Sequence, residues 1–185
     1  ICARRGKPAR KFLGADLAEM GRRIDSIMQG TIRTLKNMDV AMAKSIFQKD
    51  VEINTMEKSI EQSCMNLLAL QQPLARDLRV ITATLKVITD MERISDQCAD
   101  ICEILATVAG ISVMNTSPRM IQMFEKAREM VAGAVDAYIR RDSGAAAAIC
   151  EADDEVDALF SSTVLELCSQ ISRDSAAVPE HVDFM

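Results

Sequence analysis

The chain has no tryptophan, one tyrosine and five phenylalanines in 185 residues, so aromatics are only 3% of it. Glycine and proline are also scarce, at seven and four. That is too few turn residues for an all-β fold. No apolar run reaches the roughly 18–20 residues that cross a bilayer, and the basic start ICARRGKPARKF leads into no apolar signal-peptide core. There is one histidine, His181, with no glutamate three residues before it. The paired Glu-x-x-His motifs of a dimetal-carboxylate helical-bundle enzyme are therefore missing, which leaves that reading a remote alternative. No Ser-His-Asp set, phosphate-cradling glycine loop or Cys-His pair is present, so no catalytic residue is expected.

What is present is aliphatic. Hydrophobic residues make up 49%, and Ala, Leu, Ile and Met dominate them, a mix suited to helix-on-helix packing in an all-α fold. Six cysteines (2, 64, 98, 102, 150 and 168) are scattered without zinc-type pairing. They read as small buried thiols of a reducing, cytoplasmic compartment, with Cys64 and Cys168 assigned to the core and Cys98 turned towards it. The net charge of −5 hides a polarity: residues 1–36 carry nine Lys/Arg against three Asp/Glu, and residues 150–185 carry one against nine. Bases are not interleaved with aromatics, so no nucleic-acid partner is expected.

Helical periodicity predicts helices over 11–37, 39–71, 74–109, 118–140 and 142–173, and the start of a sixth after Pro179. Asp39 and Asp142 each look like an N-cap. Laid over one another, DVAMAKSIFQKDVEINTME (39–57) and DSGAAAAICEADDEVDALF (142–160) match in class and phase: Asp39 with Asp142, Ile46 with Ile149, Asp50 with Asp153, Asn54 with Asp157. This predicts a duplicated three-helix unit, with residues 1–109 as the first repeat (1–10 a basic extension), 110–117 as linker and 118–185 as the second repeat.

Within that repeat, carboxylates sit where apolar residues belong. Asp50 and Asp153 each interrupt the hydrophobic stripe of their helix, which is costly unless they are paired or ligated. In DMERISDQCADICE (90–103), Glu92, Asp96 and Asp100 recur every four residues, so a helix stacks them on one face. Glu92 and Asp96 border the apolar seam and are expected to meet Asp50 and Asn54 from the neighbouring helix, with a shared hard cation offsetting their repulsion.

These stretches resemble a known family. QQPLARDLRVITATLKVITDMERISDQCADICE (71–103) is similar to the third-helix signature of the PhoU family of phosphate-uptake regulators, and FQKDVEINTMEKSIEQSCMNLLALQQPLA (47–75) is similar to its second helix. VPEHVDFM (178–185) looks like the opening of a second copy of helix three, and the chain is expected to be truncated before the rest of that copy. The resemblance implies a tandem pair of three-helix bundles related by a pseudo-twofold. It also implies a multinuclear or single metal (iron, manganese, magnesium or zinc) at Asp50, Asn54, Glu92, Asp96 and Asp100, with Asp153 and Asp157 supplying one side of a second site. Where the family has Gly, His and Asn, this chain has Ser95, Gln97 and Asp100, which biases the site to oxygen-preferring cations. The function implied is a cytoplasmic, homodimeric, non-enzymatic negative regulator of phosphate uptake and signalling. Its partners would be the ATPase subunit of a phosphate ABC transporter and a sensor histidine kinase, and it would meet the membrane only through them. The alternative is a PhoU-like regulatory domain of another transporter or channel.

Overall fold

Asp39 Oδ1 accepts a hydrogen bond from the Met42 N–H at 3.0 Å, and Asp142 Oδ1 accepts one from the Ala145 N–H at 2.9 Å. Both aspartates thus satisfy donors that a helix start leaves orphaned. The structure, a computed structural model, describes residues 6–37, 39–71, 73–108 and 117–173. Among the described residues there are five helices: α1 (Gly6–Asn37), α2 (Val40–Gln71), α3 (Ala75–Val108), α4 (Pro118–Arg140) and α5 (Ser143–Arg173). Four of the five expected starts fall within a residue of the predicted one. The first begins earlier, inside the expected extension 1–10, because Pro8 sits in the first turn, where no N–H is needed for an intrahelical bond. Cys2, the linker up to residue 116, the sixth-helix start after Pro179 and His181 lie outside the described residues.

The core forms around α1. Leu17, Met20, Ile24 and Ile27 recur at helical spacing and are at most 1% exposed. They meet Ile46, Ile53, Ile60 and Cys64 of α2, and Ile81, Ile88, Met91, Cys98 and Cys102 of α3. Burying each large aliphatic side chain stabilises the fold by about 1.5–3 kcal/mol. Buried Thr31, Thr34 and Thr84 satisfy their hydroxyls by donating to carbonyls one turn back, those of Ile27, Gly30 and Val80.

Contacts of the first three helices recur in α4 and α5 at the spacing of the sequence repeat. Arg23 pairs with Glu52 between α1 and α2, and Lys126 with Glu155 between α4 and α5. A Cβ on Gly30 would touch Ile46 at 3.4 Å, and one on Gly133 would touch Ile149 at 3.1 Å. Glycine thus lets the helices of each hairpin close up at the same place. Ser117 caps α4, with Pro118 at its first position. Arg141 ends α4 in the left-handed region at φ 60°, with its N–H bonded to the Tyr138 carbonyl at 3.1 Å. An L-residue there costs roughly 1 kcal/mol.

The two halves differ in what covers them. α3 lies over α1 and α2, whereas α5 packs chiefly against α4, leaving Phe160 and Leu165 52% and 71% exposed. Cys168, expected in the core, is exposed on α5, as is Cys150. The apolar pattern of α5 is there in sequence, but no described helix closes its outer face. An apolar groove of about 840 Å³ runs between α3 and the α4–α5 hairpin, lined by Val87, Met91, Val135, Tyr138 and Ile149 among others.

Candidate metal centre between the second and third helices

Ile53 on α2 and Ile88, Met91 and Cys98 on α3 are buried at 2% exposure or less, and they fix how the two helices meet. Residues one step round each helix from that seam are then brought to its border. On α2 these are Asp50, Asn54 and Glu57; on α3 they are Glu92 and Asp96, with Ser95 fully buried between them.

The Ser95 hydroxyl donates to Asp50 Oδ1 at 2.7 Å, crossing from α3 to α2. Asn54 Nδ2 donates to the other oxygen, Oδ2, at 3.3 Å. Asp50, which interrupts the hydrophobic stripe, is therefore held by two donors rather than left bare. Fixing the Asn54 amide in this way leaves its Oδ1 buried and without a hydrogen-bond partner.

The remaining carboxylates repel. Burial raises the Asp96 pKa above 3.8, and the charge of Asp50 raises it further. Burial likewise raises that of Glu92 above 4.5, followed by the charges of Asp96, Glu57 and Asp50. Glu92 and Asp96 are close enough for each to raise or be raised by its neighbours' charge, so the row favours a bound proton or cation over bare carboxylates. Asp100 continues the ladder but is exposed, and it acts on Asp96 through its charge.

The structure thus brings together Asp50, Asn54, Glu92 and Asp96 and leaves Asp100 at the edge. Asp153 and Asp157, the counterparts on α5, are exposed and face no described helix. Two participants escaped the sequence reading. Ser95 was noted only as a replacement for glycine, although a hydroxyl there can reach a neighbouring carboxylate. Glu57 lies at i+3 from Asn54, a spacing that places it on the same face and could have revealed it; Thr89 of α3 donates to its Oε1 at 3.2 Å.

Cys98 turns into the core as expected, and burial pushes its thiol up to about 12. It is no thiolate ligand. The donor set facing the seam is all oxygen, suited to protons or hard cations. Among the described residues, no three His, Cys, Asp or Glu side chains stand in ligating positions. Also among them, no helix is long and apolar enough to cross a membrane.

Comparison with known proteins covers nearly the whole chain. The PhoU domain matches residues 17–105 and 120–185. Over 174 residues the chain is 32% identical to the phosphate-specific transport system accessory protein PhoU homolog of Clostridium acetobutylicum, covering 94% of this chain and 80% of that one. The crystal structure of PhoU from Pseudomonas aeruginosa superposes with a TM-score of 0.90 at 24% identity, covering 96% of this chain and 85% of that one. That of the phosphate transport system regulatory protein PhoU from Streptococcus pneumoniae gives 0.87 at 22%, covering 97% and 84%. These last two likenesses concern the fold.

Proposed function

Because the chain belongs to the PhoU family, we propose that it is a non-enzymatic regulator of phosphate uptake and of the response to phosphate starvation. One observation carries the reading: the PhoU domain matches both stretches, 17–105 and 120–185, rather than one isolated motif. The relatives' role as accessory proteins of phosphate-specific transport supports a transporter as the partner. We assign the chain to the cytoplasm, as a homodimer that bridges the transporter's ATPase subunit and a sensor histidine kinase. It acts by docking, favouring one state of its partner over another.

The contacts repeated between α1–α2 and α4–α5 support a division into repeats at residues 1–109 and 118–185. The seam at Asp50, Asn54, Glu92 and Asp96 supports a cation site by its donor chemistry: all oxygen, with one buried amide oxygen lacking a partner. Asp100 would join from the edge, and Asp153 with Asp157 would supply one side of the second site. A hard cation there would neutralise the repelling carboxylates and fasten α2 to α3.

The test is complementation. In a bacterium lacking its own PhoU homologue, expressing this chain should restore repression of a phosphate-starvation reporter at high phosphate. The transporter ATPase should co-purify with it. A stably expressed chain that does neither would remove the basis for the proposal.

A further inference from the structure

The end of α2 and the start of α3 hold three leucines out in water. Leu70, Leu74 and Leu78 are 82%, 70% and 42% exposed, within nine residues of one another. Scattered exposed leucines are ordinary; a cluster at one tip marks a contact surface. The first turn of α3 is formed: the Leu74 carbonyl accepts from the N–H groups of Asp77 and Leu78 at 2.8 and 2.9 Å. Leu74 and Leu78 are therefore displayed by a formed helical turn, with Leu70 on the last turn of α2.

Charge separates the candidate occupants. In a chain of net charge −5, the segment from Gln62 to Thr89 carries Arg76, Arg79 and Lys86 against the single acid Asp77. Arg76 and Arg79 line the apolar groove, as do Leu13, Gly14 and Leu17 of α1. Arg141, at the end of α4, lines the same groove. Leucines at a tip, flanked by cations, match the interface of an anionic bilayer: apolar side chains enter the acyl boundary while bases stay at the headgroups. We propose that the α2–α3 tip docks directly on anionic lipid, so that the protein needs no partner to reach the membrane surface. This is independent of the metal centre and of which transporter or kinase is bound.

The absence of tryptophan makes the test site-specific. Leu74→Trp places a single indole at the tip; Leu165→Trp places one on α5, beside Glu166, which holds Ser117 at the far end of the molecule. With vesicles of phosphatidylcholine containing phosphatidylglycerol, the Leu74→Trp emission should shift to the blue and the Leu165→Trp emission should not. Pure phosphatidylcholine should shift neither, and raised salt should reverse the shift. In co-sedimentation, Arg76→Gln with Arg79→Gln should weaken partitioning about 25-fold, at roughly fivefold per cation. Leu70→Gln with Leu74→Gln should weaken it at least about tenfold. Circular dichroism should match the parent throughout, since these side chains are exposed. A parent protein that ignores both vesicle types, or tip variants that bind as the parent does, would overturn the proposal. So would a tip that binds a transporter subunit in detergent while ignoring lipid. None of these outcomes bears on complementation, which tests the regulatory role separately.

Discussion

Arg128 donates through Nε and Nη2 to the two carboxylate oxygens of Asp25, at 2.7 and 3.1 Å, and the two residues are 103 apart in sequence. That is the offset by which the first half of the sequence overlies the second. One position of the repeat therefore meets its own counterpart, as a contact on a twofold axis must. The pair joins α1 to α4 midway along both helices, and Gly21 against Val135 continues the contact.

Equivalent positions should tolerate exchange. Asp25→Arg and Arg128→Asp should each cost about 1 kcal/mol by setting like charges together, and the double exchange should recover most of it. Urea denaturation of the four proteins checks this. A double exchange as unstable as the sum of the single changes would argue against a symmetric environment.

Two glycines of α1 should respond oppositely to the same substitution. Nothing lies within 4 Å of a Cβ at Gly14, so Gly14→Ala should stabilise by about 1 kcal/mol through helix propensity. At Gly21 the new methyl would stand 3.0 Å from Val135 Cγ1, and a β-branched neighbour turns aside poorly. Gly21→Ala should therefore gain nothing or lose stability. Thermal melts of the two variants give the comparison.

Acidification should relieve the carboxylate row. Glu92 and Asp96 have ordinary values of 4.5 and 3.8, and the fold raises both, by burial first and neighbouring charges second. Between the ordinary and the raised values the folded state binds more protons than the unfolded one, so their contribution to stability falls as pH rises through that window. The penalty is fully present at neutral pH. In metal-free protein, Glu92→Gln and Asp96→Asn should raise the urea midpoint at pH 7 and flatten its slope on the acid side. A lower midpoint at pH 7 for both would contradict this.

A cation at the same place should reverse that ranking. At about a hundred times its dissociation constant, manganese or magnesium should stabilise the parent by about 2.7 kcal/mol and Asp96→Asn far less. Calorimetry with and without a chelator reads the difference directly. Equal melting temperatures under all conditions would leave the row without a cation.

Thiol reactivity should sort by burial. At mild alkaline pH, Cys150 should react quickly with an alkylating reagent, whereas Cys64 and Cys98, pushed by burial to about 11 and about 12, should react only on unfolding. Mass spectrometry of timed alkylation assigns each site. Rapid labelling of Cys98 in the native protein would show that the α2–α3 seam opens.

The sequence by itself determined the described helices and their order. Helix periodicity, the capping aspartates 39 and 142 and the scarcity of turn residues are local signals, because a helix makes its hydrogen bonds within a few residues of itself. The same periodicity placed Glu92 and Asp96 beside the seam and opposite Asp50 and Asn54. What only the tertiary structure decided is what crosses between helices. Ser95 donating to Asp50, Glu57 adding its charge to Glu92 and Arg128 meeting Asp25 depend on the rotation and axial offset of one helix against another, which no single-helix pattern encodes. Burial was decided in the same way. Cys98 and Cys168 both sit on apolar-patterned helices, but α3 packs that face against α1 and α2, while Cys168 on α5 is exposed. An amphipathic stripe states which side of a helix can be buried; a neighbour in space decides whether it is.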